Sequence, residues 1–126
     1  MNLVDSSGWL EYLSDGPNAA FFEKPLSAPD EILVPTLCLY EVFKVALRER
    51  GESDAIQAAA LMQQGRIVEL TSDVALFAAR LSLKHKIPMA DSIIAATGTL
   101  HKAVIWTQDE DFKALEDVKY IPKRKA

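Results

Sequence analysis

Short apolar runs, each spilling into a polar turn and then a helical pattern, limit this chain's folds more than any other feature. Asn2-Leu3-Val4, Ile32-Leu33-Val34, Ile67-Val68-Glu69-Leu70 and Ala103-Val104-Ile105-Trp106 are too brief for helices and rich in β-branched residues. Val118 to Ile121 offers a last one, ended by Pro122. Near-continuous apolar strands are buried on both faces, and helical crossovers join parallel neighbours. The expected class is therefore α/β, with a mostly parallel sheet covered on both sides. In such folds ligands bind beyond the carboxyl ends of the strands.

Between the strands the punctuation is regular. Ser6 or Ser7 can cap a first helix whose apolar side is Trp9, Leu10 and Leu13. Asp15-Gly16-Pro17 is a turn signal, Asn18 to Lys24 suits a short helix anchored by Phe21 and Phe22, and Pro25 and Pro29 bracket a loop. After Pro35 a helix runs to about Arg50 and stops at Gly51, with Leu37, Cys38, Val42 and Val45 as its core stripe. Ser53 is placed to cap a helix from Asp54 to Gln64 that Gly65 closes. Thr71 or Ser72 caps the next, with Val74, Phe77, Ala78 and Leu81 on one face and Lys84, His85 and Lys86 at its end. Pro88 to Gly98 follows as a helix, and a short one through Leu115 follows the fourth strand.

Two of these helices carry an acid where an apolar residue belongs. Asp91 shares a face with Ile94, Ala95 and Gly98, because residues three, four and seven apart stack. Glu41 lies four after Leu37 and four before Val45. A carboxylate on a core-facing stripe is costly unless its charge is compensated, and no Lys or Arg stands at helical spacing from Asp91. Asp5 and Asp109 sit just past the carboxyl ends of the first and fourth strands. Four acids far apart in sequence can thus meet at one sheet edge. Their mutual repulsion asks for a cation, and all-oxygen ligation suits Mg²⁺ or Mn²⁺. Such an ion accepts phosphate oxygens, so phosphodiester hydrolysis is the natural reaction.

At 126 residues the chain has the length of one domain, 1–126, with room for a core. No apolar run approaches the ~20 residues that span a bilayer, and the first residues lack a signal-peptide pattern. Cys38 is the only cysteine, so it is expected in the core of a cytoplasmic protein that needs no disulfide. A net charge of −4 argues mildly against a nucleic-acid partner, and bound cations would weaken that objection.

The stretches VDSSGWLEYL, LYEVFKVAL, MADSIIAATG and TQDEDF, in this order, resemble the PIN-domain nucleases over nearly the whole chain. Within them the likeness is to the VapC-type toxins of toxin–antitoxin pairs. The resemblance implies a three-layer α/β/α sandwich and a Mg²⁺- or Mn²⁺-dependent endoribonuclease. It puts the family's four acids on Asp5, Glu41, Asp91 and Asp109, as catalytic residues and metal ligands. Ser6 and Thr107 become the accompanying hydroxyls, and Asp111 a supporting acid. RNA as substrate, a homodimer and a small antitoxin that inserts a basic side chain among the acids are implied with them.

Plainer roles exist for each residue. Asp5 can be only a capping residue, Glu41 can pair with Lys44, and Asp91 can serve the helix dipole. Lys44, Arg48, Arg80 and Lys84 suit an RNA path or a solvated face equally. Trp9 and Trp106 are expected in the core, His85 and His101 on the surface, and the Lys123-Arg124-Lys125 tail is expected to fray. A phosphoacceptor domain needs paired acids after the first strand, where Asp5 is followed by serines. A PIN fold that binds RNA or protein without cutting is the remaining alternative.

Overall fold

The computed structural model describes residues 1–125, so only Ala126 of the expected 1–126 unit lies outside it. Five strands, β1 (Asn2–Val4), β2 (Ile32–Pro35), β3 (Arg66–Val68), β4 (Val104–Thr107) and β5 (Val118–Tyr120), form one sheet in the order β3-β2-β1-β4-β5. Every neighbouring pair is parallel. All strands therefore end at the same edge. The crossovers are α1 (Ser6–Leu13) with α2 (Ala19–Leu26), α3 (Thr36–Arg50) with α4 (Glu52–Met62), and α5 (Ser72–His85) with α6 (Met89–Leu100).

Alternation along the strands sorts the helices onto two faces. Leu3 pairs in register with Leu33 and Ile105, so the three side chains share a face. That face meets α6, where a Cβ on Gly98 would lie 2.8 Å from the Ile105 side chain and 3.6 Å from that of Leu3. Val4 and its partner Trp106 point the other way. There a Cβ on Gly8 would lie 2.6 Å from both Val4 and Phe22, and the Phe21 ring stands 5.1 Å from Trp106. The expected α/β/α sandwich is the observed fold. Trp9, Trp106 and Cys38 are buried in its main core, and Val74, Ala78 and Ala96 form a second cluster between α5 and α6.

The direction of each crossover positions the site. Helices α1 and α3 begin where β1 and β2 end. Helix α6 runs back toward the start of β4, so its own first turn, with Asp91, lies at the strands' carboxyl edge.

Several boundaries differ from expectation. Asp5, not a serine, caps α1, because its carboxylate is a stronger acceptor for the Gly8 N–H at 3.0 Å. Helix α2 passes through Pro25, whose missing N–H costs one bond near the helix end while its ring is buried. Gly51, at φ 94°, both stops α3 and starts α4, so Ser53 falls inside the helix instead of capping it. Strand β3 ends at Val68, leaving Glu69 and Leu70 outside the ladder. After β4 there is only a single 3-10 turn, Glu110–Phe112. The Lys123-Arg124-Lys125 segment does not simply fray. The Arg124 guanidinium donates to the Asn18 side-chain oxygen at 2.8 Å and to the Pro17 carbonyl.

Candidate metal centre

Asp5 is 2 % exposed, and its carboxylate accepts from three neighbouring donors. The Gly8 N–H reaches Oδ1 at 3.0 Å, the Ser7 hydroxyl lies 2.9 Å from Oδ1, and the Thr107 hydroxyl donates to Oδ2 at 2.8 Å. Burial still wins over these bonds and pushes the Asp5 carboxyl up to about 6, with the Asp109 charge adding to the rise. Thr107 is the last residue of β4 and links two acids. Its hydroxyl oxygen also accepts from the Asp109 N–H at 2.8 Å. Asp109 in turn caps the following 3-10 turn by accepting from the Asp111 N–H at 2.9 Å.

Beside these residues stands the first turn of α6. One carboxylate oxygen each from Asp91, Asp109 and Asp111 lie within 4.8 Å of one another. Two ionised carboxylates at that separation repel by about 3 kcal/mol at an effective dielectric near 20. Asp91 bears the consequence. Its carboxyl is pushed up to about 8, first by burial, then by the Asp109 charge, then by Asp111 and Asp5. Asp5, Asp91 and Asp109 thus feel one another's charge.

Glu41 enters by a separate route. Its Oε1 accepts from the Ser6 hydroxyl at 2.7 Å, which fastens the second turn of α3 to the first of α1. It does not pair with Lys44, whose ammonium sits 5.6 Å above the Tyr40 ring. Glu41 lies outside the group of three carboxylates, but the buried Cys38 ties it to the same floor. Burial first, then the charges of Asp5, Glu41 and Asp91, push the Cys38 thiol up, against a Ser6 hydrogen bond that lowers it.

Among the described residues the one ion pair is Arg48–Glu49, at 3.5 Å on the exposed surface. No lysine or arginine there neutralises these acids. The donors are carboxylates and hydroxyls throughout, and the sole thiol is sealed in the core. This set fits a hard divalent cation such as Mg²⁺ or Mn²⁺ and offers nothing to a softer metal.

A family model for the PIN domain matches residues 3–118. The chain belongs to the PIN-domain family. Among solved structures its fold is similar to a toxin–antitoxin complex from Klebsiella pneumoniae, with 23% identity, TM-score 0.78, and 94% of this chain and 96% of that one covered. It is similar also to VapC20 of Mycobacterium tuberculosis, described as a sarcin-ricin loop cleaving toxin, at 19% identity and TM-score 0.76 over 90% of this chain and 94% of that one. FitAcB from Neisseria gonorrhoeae matches at 22% identity and TM-score 0.72 over 95% of this chain and 96% of that one. No curated protein matches the sequence. The PIN resemblance read from four motifs is thus borne out, and the PIN fold here is that of VapC-type toxins.

Sequence reading missed two residues of this candidate site and gave a third too small a part. Asp111, expected only as a helper, stands as close as Asp91 and Asp109. Ser7, not Ser6, serves Asp5, although its place two residues past a capping acid was a usable signal. Gln108 is buried between Thr107 and Asp109, with its amide directed toward the Ser7 carbonyl at 3.4 Å and its oxygen accepting from Asn18 at 2.9 Å. Nothing local marks the Asn18 side chain, whose partners lie 90 and more residues away.

Proposed function

We propose that this PIN protein is a metal-dependent endoribonuclease and the toxin of a toxin–antitoxin pair. Its metal, Mg²⁺ or Mn²⁺, would be held by Asp5, Glu41, Asp91 and Asp109, with Asp111 as the supporting acid. The single observation that carries the reading is the uncompensated meeting of Asp91, Asp109 and Asp111 beside a buried Asp5. When bound, such an ion supplies positive charge to phosphate oxygens and acidifies water. The protein's own work is alignment. Thr107 holds Asp5 and the Asp109 backbone in one line, and Ser6 holds Glu41 against the same cleft. Asp91 is the acid whose ionisation depends most on its neighbours, so it is the one most sensitive to a compensating charge.

The partners follow from surface chemistry. A groove of about 790 Å³ runs between α1, α3 and α4, and its lining includes Leu10, Leu13, Val45 and Leu61 as well as Ser7. An antitoxin segment with an apolar face suits the groove, and a basic side chain on it suits the acids. The structures of similar fold include toxin–antitoxin complexes, which supports such a partner. Leu76 and Leu83, seven apart on α5, and Met89 are exposed, which supports a homodimer through that side. Among the described residues no helix is long and apolar enough to cross a membrane, and the cytoplasm, where RNA and antitoxin are made, is the proposed location.

The test is cleavage of total cellular RNA with mapped ends, with Mg²⁺, Mn²⁺ or a chelator. Cuts are expected with either metal and none with the chelator, nor with Asp5→Asn or Asp91→Asn protein. Undiminished cutting by clean Asp91→Asn protein overturns the assignment.

A further inference from the structure

A cluster of carboxylates repels RNA, so phosphates near it need cations held at the rim. The segment after β5 is built to supply one. It is held on both sides of Lys123, through a backbone carbonyl before it and a side chain after it. The Pro122 carbonyl accepts from the Asn18 side chain at 3.0 Å, and Arg124 donates to the Asn18 oxygen at 2.8 Å. Asn18 is 1 % exposed, and the same amide group donates to Gln108, the residue between Thr107 and Asp109. One buried side chain therefore fixes both the acid-bearing loop and the basic segment. Arg124 spends its hydrogen bonds on this latch. Lys123 does not. It is exposed, it borders the groove that Ser7 and Gln108 also line, and it has no carboxylate partner among the described residues.

We infer that Lys123 contacts a phosphate of the RNA strand entering the cleft, and that Asn18 and Arg124 form the latch presenting it. The inference rests on the RNA-cleaving reading above. A lysine on a loose tail adds only a diffuse charge, whereas one between two anchored neighbours loses less freedom on binding. Gln108, by tying the latch to the acid loop, keeps that charge at a set distance from the acids.

The experiment measures cleavage of a fluorescein-labelled oligoribonucleotide that the wild-type protein cuts, and its binding to Asp91→Asn protein across a salt series. Lys123→Ala is expected to raise KM about three- to tenfold, and to lower the slope of log affinity against log salt by about one. Arg124→Ala, a change at an exposed residue, should shift KM and slope the same way, and Arg124→Lys should not restore them. Lys102→Gln, at the opposite edge of the sheet, should change neither. An unchanged KM and salt slope in Lys123→Ala overturns the proposal, as does a loss confined to binding of a partner protein. Binding is read apart from cutting, so a protein that holds the RNA in a Lys123-dependent way without cleaving it defeats the nuclease reading alone.

Discussion

The Ser6 hydroxyl donates a hydrogen bond to Glu41 Oε1 at 2.7 Å, joining two helix starts that lie 35 residues apart in the chain. The bond decides where Glu41 points, since Lys44 is turned away toward Tyr40. Ser6→Ala should therefore cost RNA cleavage about tenfold while lowering stability by only about 1 kcal/mol, the usual worth of one such bond. Denaturant midpoints and cleavage rates, measured together, check the split. An equal loss in both would make Ser6 a structural residue.

Thr107 carries more weight, because it is fully buried and serves two acids at once. Thr107→Val removes the donor to Asp5 and the acceptor for the Asp109 N–H. Leaving buried groups unpaired costs about 1–3 kcal/mol each, so a stability loss in that range or above is expected. Thr107→Ser should retain most stability and activity.

Asp91→Asn removes a carboxyl whose ionisation burial and neighbouring charges oppose. In chelator the variant should melt higher than wild type, and its melting should no longer rise with millimolar Mg²⁺ or Mn²⁺ as the wild type's does by mass action. Calorimetry with and without metal reads both. A lower melting temperature in chelator would mean that Asp91 is compensated in a way the hydrogen bonds do not reveal.

The pH dependence follows from the same crowding. Asp5 is pushed up to about 6 and Asp91 up to about 8, against an unfolded carboxylate value of about 4. Between these limits the folded state holds more protons than the unfolded one, so stability falls as pH rises. Metal-free protein should be more stable near pH 5 than near pH 8. Metal competes with those protons, so its affinity and the cleavage rate should climb over the same window. Chemical denaturation at several pH values in chelator tests the sign, and a rise in stability toward pH 8 would contradict it.

Much of this was legible because burial leaves a mark on sequence. Brief apolar runs located all the strands, and an acid on an apolar helix stripe exposed Asp91 and Glu41 before any coordinates. What escaped were choices between chemically similar neighbours. A carboxylate and two hydroxyls compete to cap α1, and only the Gly8 geometry shows that Asp5 wins. Asp109, Glu110 and Asp111 read alike until the turn folds Asp111 back beside Asp109. Long-range hydrogen bonds such as those of Asn18 leave no periodic trace at all. Pro25 misled for the opposite reason, since packing outweighed a strong local preference.

Cys38 turns the floor of the cleft into a clock. Its sulfur is fully buried beneath Asp5, Glu41 and Asp91, and it is the chain's only thiol. Any reagent that alkylates it must wait for α3 to part from the sheet, so labelling counts those partings one molecule at a time. A divalent ion that ties the acids together above it should slow the count, letting occupancy of the centre be read from chemistry that never touches RNA.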